Sequence, residues 1–208
     1  LKRLILWLLP FIVSFSGKAQ ITLKEGDFLF LNLDCGPLCD AIEEVTSGYG
    51  NMKFSHVGLV VSDSGKWKVL EAIGKKVKLS PLDSFLAYSP HKALVARVKS
   101  QFQTLIPGAK SFGLSQLGKP YDDAFLPENG KWYCSELIYE AFKNANGEKP
   151  FFSLSPMTFK KPGSGDFFPA WIGYYKKLGI PIPEGLPGCN PGGLSLSENL
   201  EVLGFFNH

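Results

Sequence analysis

Residues 55–73 read Ser55-His56-Val57-Gly58-Leu59-Val60-Val61-Ser62-Asp63-Ser64-Gly65-Lys66-Trp67-Lys68-Val69-Leu70-Glu71-Ala72-Ile73. Two runs rich in β-branched residues flank the turn residues Asp63-Ser64-Gly65, which is the pattern of a β-hairpin. On the first strand His56 shares a face with Gly58 and Val60, while Val57, Leu59 and Val61 take the other. A loop of two residues (Ser64-Gly65) or four (63–66) places His56 opposite Ile73. Glu71 then lies two residues along the same face, within diagonal reach. A three-residue loop would turn Glu71 to the opposite face. On a shared face the carboxylate can hold the imidazole in one tautomer, as the third member of a catalytic triad does. Gly58 leaves room beside His56 for a neighbour or a substrate. The plainer alternatives are a half-buried His satisfied by backbone and a solvent-facing Glu paired with a Lys.

Working outward, Gly26-Asp27 followed by Phe28 to Leu33 reads as a buried strand. Pro37 opens a helix with Leu38, Ile42 and Val45 on one face. Ser80-Pro81 reads as the N-cap and first position of a short helix reaching Tyr88. Residues 93–98 form another strand and 108–117 a helix, broken by Gly118-Lys119-Pro120-Tyr121-Asp122-Asp123. A polar loop then runs to Lys131. The clearest helix spans 134–146, with Leu137, Ile138, Ala141 and Phe142 on its apolar face and Gly147 and Pro150 ending it. Residues 151–169 read as a long loop with apolar anchors, 170–178 as a helix, 181–193 as irregular and 200–206 as a last strand. Hairpin strands with separate helices give an α+β fold in one domain, with no internal repeat and no interdomain linker.

Trp132-Tyr133-Cys134-Ser135-Glu136 opens that clearest helix. A cysteine in a first helical turn sits where unpaired N–H groups and the helix dipole favour an anion, so the reactive thiolate is populated. The N–H groups at Cys134 and Ser135 can also stabilise a tetrahedral oxyanion. The competing reading is a buried structural thiol.

The 208 residues suffice for one well-cored domain, and 45% hydrophobic with 20% charged residues is a globular composition. Residues 1–19 read as a secretory signal: Lys2 and Arg3, an apolar run from Leu4 to Phe15, then Ser16, Gly17 and Ala19 before a cleavage site. The run is too short for a spanning helix, which needs about 20 apolar residues. The expected mature domain is 20–208. Three of the 22 basic residues, Lys2, Arg3 and Lys18, lie in the signal, which has no acidic residue; without them the basic residues equal the 19 acidic ones. Balanced charge gives no electrostatic case for nucleic acid. Three histidines (56, 91, 208), with no C-x-x-C and no H-E-x-x-H, leave a metal site without ligands, and no cofactor motif occurs. Cys35 and Cys39 read as structural. A bridge between them would be strained if both were helical, and Cys189 is an alternative partner.

The ordered set Gly26-Asp27, Ser55-His56-Val57-Gly58, Leu70-Glu71-Ala72, Gly118-Lys119-Pro120-Tyr121-Asp122 and Tyr133-Cys134-Ser135-Glu136-Leu137 resembles the YiiX/YebB-like group. These are papain-like hydrolases of the NlpC superfamily with a circularly permuted order, His preceding Cys. The resemblance spans residues 25–206. It implies a permuted papain-like fold, a small antiparallel sheet packed against the helix carrying the nucleophile. It implies Cys134 as nucleophile, His56 as base and Glu71 as orienting residue. It also implies that Tyr121 lies near the nucleophile and donates to the oxyanion or substrate, as an alternative to a packed loop aromatic. Asp122 and Asp123 are expected to fix the loop, since adjacent carboxylates cannot flank one scissile bond. Phe151, Phe152, Phe159, Phe167, Phe168, Trp171, Tyr174 and Tyr175 line a substrate cleft or pack a core. The expected protein is an exported bacterial cysteine hydrolase, periplasmic or extracellular. It would cleave an amide in cell-wall peptide; a lipid acyl substrate and a non-catalytic binding module are the alternatives.

Overall fold

The computed structural model describes residues 21–206, so the expected signal at 1–19 lies outside the described residues. A six-stranded antiparallel sheet forms the centre: β1 (Phe28–Leu31), β2 (His56–Asp63), β3 (Lys66–Ile73), β4 (Lys76–Pro81), β5 (Leu94–Val98) and β8 (Leu200–Phe205), ordered β4-β3-β2-β1-β5-β8. The hairpin loop between β2 and β3 has two residues. Asp63 pairs with Lys66, and Ser64 and Gly65 sit at φ 51° and 78°. Two successive positive φ angles match the twist of the flanking strands, which is why a short polar residue followed by glycine stands there. The register runs on through Leu59 opposite Leu70. It is the register that brings His56 and Glu71 to one face.

Both sheet faces are covered, which accounts for the continuous apolar run of β1. Phe28 and Phe30 pack towards α3 (Ile106–Ser115) and α4 (Cys134–Ala145), while Leu29 and Leu31 face a second cluster with Val60, Val69 and Phe85. Phe85 belongs to α2 (Leu82–Leu86). Asp27, fully buried just before β1, is held by Arg97 of β5 through Nε at 2.6 Å and Nη2 at 2.8 Å. A third layer joins α1 (Pro37–Val45) to α5 (Pro169–Leu178) around Ala41, Phe159, Trp171 and Tyr175. Beside it lies a two-stranded ribbon, β6 (Ser155–Pro156) with β7 (Pro187–Gly188), followed by α6 (Pro191–Ser195).

Two expectations change and one open alternative closes. Strand β4 escapes the sequence reading because its Lys-Val-Lys-Leu-Ser pattern buries only Val77 and Ser80 and looks like a polar connection. Ser80 caps no helix: it lies within β4, and Pro81, the last residue of that strand, takes the N-cap position of α2 without a side-chain cap. Cys35 and Cys39 are bridged, with Cα atoms 5.4 Å apart. Only Cys39 is helical; Cys35 precedes Gly36, whose φ of 76° turns the chain into α1, so the pair is not held in helical geometry. Cys189 is therefore not a partner and remains a free thiol, as does Cys134.

Candidate active site

His56 opens β2 and Glu71 lies on β3, and both are buried, His56 with 2% exposure and Glu71 with none. Their side chains meet at 2.6 Å, His56 Nε2 to Glu71 Oε2. A Cβ on Gly58 would stand 2.3 Å from Val69 Cγ1 and 2.9 Å from Phe85 Cε2. Of the two alternatives for Gly58, the space beside His56 is thus taken by core neighbours rather than left for substrate. The rings of Phe85 and Tyr88 lie 5.5 Å and 6.4 Å from the imidazole and fix its plane. The second oxygen of Glu71 accepts from Ser80 Oγ and from the Tyr88 hydroxyl at 3.3 Å.

Cys134 is the first residue of α4, 6% exposed, with Tyr133 in extended conformation at the N-cap. Its thiol neighbours His56 and supports the protonated form of that ring. With Nε2 committed to Glu71, Nδ1 is the nitrogen left to face the sulfur. Burial opposes an imidazolium here. The hydrogen bonds to Cys134 and Glu71, and the negative charge of both, outweigh it and push His56 up to about 9. A ring so supported can accept a proton from a neighbouring group.

The structure thus brings together His56, Glu71 and Cys134. Tyr121 joins them: it lines the same cleft as Cys134, and its phenol is raised by burial and then by the charge of Cys134, so it stays a neutral donor. Ser135 is nearby but its hydroxyl is engaged, donating to the Cys189 carbonyl at 3.0 Å. Only its backbone N–H is left for an oxyanion. Asp122, fully buried, accepts from the N–H groups of Ala124 at 3.0 Å and Leu126 at 2.7 Å. It folds the loop that carries Tyr121. Glu136, in the first turn of α4, is pushed up to about 8 by burial and then by Asp122. It stays protonated near neutrality and adds no negative charge beside Cys134. Burial pushes the Cys189 thiol up to about 12, so it stays an inert thiol.

A cleft of about 220 Å³ opens at Cys134. Ile42 and Val45 of α1, Phe125, Met157, Phe159 and Trp171 give it a largely apolar wall. Of the eight aromatics considered from sequence, Phe159 and Trp171 line it. Phe151 and Phe152 instead pack against Phe142 in the core beneath α4, and Tyr175 is buried behind Trp171. Tyr174 and Tyr175 donate to the carbonyls of Asp123 and Ala124 and tie α5 to the Tyr121 loop. Sequence reasoning missed Ser80 and Tyr88, the two donors to Glu71. Ser80 carried a misleading Ser-Pro helix-start signal; Tyr88 carried none.

The family model described as "Permuted papain-like amidase enzyme, YaeF/YiiX, C92 family" matches residues 22–204. The YiiX protein of Escherichia coli K12, itself uncharacterised, is 33% identical over 152 residues, 70% of this chain and 68% of that one. A crystal structure of YiiX from Escherichia coli O157:H7, described as a metalloprotein, superposes with a TM-score of 0.71 at 25% identity. The match covers 91% of this chain and 98% of that one. Among the described residues here no group of three or more His, Cys, Asp or Glu side chains stands together as metal ligands. Of the histidines described, His56 is engaged by Glu71 at Nε2 and His91 is exposed. From residue 22 to residue 204, with the permuted strand and helix order intact, this chain belongs to the YaeF/YiiX (C92) family of permuted papain-like amidases.

Proposed function

We propose that this protein is an exported cysteine amidase that cleaves an amide bond in cell-wall peptide through Cys134, His56 and Glu71. The observation that carries the reading is the imidazole of His56, held at Nε2 by the buried Glu71 carboxylate at 2.6 Å and neighboured by the thiol of Cys134 in the first turn of α4. His56 takes the thiol proton and the thiolate attacks the amide carbonyl. The oxyanion is met by the N–H groups of Cys134 and Ser135 and by the Tyr121 hydroxyl. The imidazolium then protonates the departing amine, leaving a thioester on Cys134. His56 next deprotonates a water, which releases the acid and restores the thiol.

The amide assignment is supported by the amidase family, and the cell-wall substrate by the export expected from residues 1–19. A second reading is favoured by one observation, the apolar wall of Ile42, Val45, Phe125, Met157, Phe159 and Trp171: a lipid acyl ester or amide, processed by the same residues. The deciding experiment incubates native protein and Cys134→Ala with cell-wall peptides and with acylated lipids, products being identified by mass spectrometry. New amines from peptide, made only by native protein, support the first reading. Release of fatty acyl groups would replace it with the second, and no turnover of either panel would leave a binding module. Export is tested by N-terminal sequencing of secreted protein. A start near Gln20 is expected, and retention of residues 4–15 would refute it.

A further inference from the structure

We infer that Ser80 and Tyr88 are positioning residues for the His56–Glu71 pair: their hydroxyls hold the far oxygen of Glu71, and Lys78 aims the hydroxyl of Tyr88 there. The inference rests on the reading of His56 as the base and Glu71 as its orienter.

The strand register creates the arrangement. In the β3–β4 ladder Glu71 stands opposite Lys78, and Val69 opposite Ser80, so Ser80 is the diagonal neighbour of Glu71 on the same face. Ser80 is 4% exposed, and its Oγ donates to Glu71 Oε1. Tyr88, just beyond α2, brings its hydroxyl to 3.3 Å from the same oxygen. Lys78 Nζ lies 2.9 Å from that hydroxyl. An ammonium can only donate, so the Tyr88 oxygen accepts from Lys78 and its one proton goes to Glu71. The donations from Lys78 through Tyr88 and from His56 therefore converge on the Glu71 carboxylate.

The chemical consequence follows from the burial of Glu71. A carboxylate with no exposure to water has only its protein donors to stabilise its charge. Ser80 and Tyr88 serve one oxygen while His56 serves the other. Without them Glu71 is a weaker negative partner, and the imidazolium of His56 loses support. The other groups facing His56 are the Cys134 thiol from α4 and the edge of the Tyr88 ring; Lys78 acts only through Tyr88, and Tyr121 faces Cys134 rather than the imidazole.

The test is the titration of His56 by NMR in the full chain labelled at histidine, the His56 signal being assigned by its loss in His56→Gln. It needs no substrate, so lost hydrolysis with an intact titration counts against the proposed function and not against this relay. Ser80→Ala and Tyr88→Phe are each expected to lower the midpoint by about half a unit to one unit, the scale of one hydrogen bond to a charged group. Lys78→Met should give a smaller drop, and Ser80→Thr, which keeps the hydroxyl, a native midpoint. In a Glu71→Gln background Ser80→Ala should add nothing, because the two act through one carboxylate. Tyr88→Phe keeps the ring and guards against loss of the Ser80 variant to misfolding. A native midpoint in Tyr88→Phe and Ser80→Ala, or an undiminished drop in the Glu71→Gln background, would overturn the inference.

Discussion

His56 is a fully buried ring asked to carry a proton, and only its two partners make that tolerable. Removing each member of the set should therefore cost differently. Cys134→Ala removes the nucleophile and should abolish hydrolysis without unfolding the chain, since it deletes one sulfur at a cleft. His56→Ala should lower kcat/KM by roughly 10²–10⁴-fold, the usual contribution of a general base. Glu71→Gln should be milder, because an amide still orients the ring while losing the charge that supports imidazolium. Assays of the three variants on a substrate cleaved by native protein check that order, and near-native hydrolysis by Cys134→Ala would refute the mechanism. The same ring governs stability with pH. Its folded pKa of about 9 lies above the ordinary 6.5, so its contribution is fully present below 6.5 and lost as pH rises through 9. Urea unfolding between pH 6 and 9.5 should show that decline, and His56→Gln should flatten it.

Two elements decide whether the residues meet. In the β2–β3 hairpin the strands and turn residues were legible from β-branched content, but the loop length was left open, and it is the two-residue loop of the structure that puts His56 and Glu71 on one face. Sequence alone could not show what fills the space at Gly58. Gly58→Ala should cost about 1–3 kcal/mol by overpacking against Val69 and Phe85, and should loosen His56 with it, measured as a lower unfolding midpoint. In α4 the sequence revealed the helix and its first-turn cysteine. It did not reveal that Asp122, distant in sequence, would share a buried site with Glu136. Glu136 is raised from 4.5 to about 8, so its contribution is present below 4.5 and lost as pH rises through 8. Glu136→Gln should accordingly gain stability over native protein as pH rises from 5 to 9, and an unchanged difference across that range would exclude a buried titrating carboxylate. Strand β4 and the donor Ser80 were illegible for a related reason. Their roles are set by partners on β3 and not by local propensity, so a strong Ser-Pro helix signal pointed elsewhere.

At the scale of the molecule, the cleft lies where the sheet-and-α4 core meets the α1–α5 layer, which has a hydrophobic cluster of its own. The long aromatic segment after Lys149 could be read from sequence as cleft or as core, and it is divided between them. Phe151 and Phe152 turn under α4, and Phe159 reaches the cleft wall. No periodic pattern announces that division, because it depends on how the layers dock. The docking does define a way to separate substrate selection from chemistry. Val45 ends α1 and lines the cleft while half-buried, and none of the hydrogen bonds of His56, Glu71 or Cys134 involves it. Val45→Phe should narrow the apolar side and leave the nucleophile untouched. Alkylation of Cys134 by iodoacetamide should then keep its native pH dependence, while turnover of substrates with bulky or long apolar acyl groups falls by roughly tenfold or more relative to short ones, the scale of one or two misfitted methylenes. Equal loss across short and long acyl groups would mean that the apolar wall is not where the acyl part lies, and the cleft would have to be occupied by the leaving group instead.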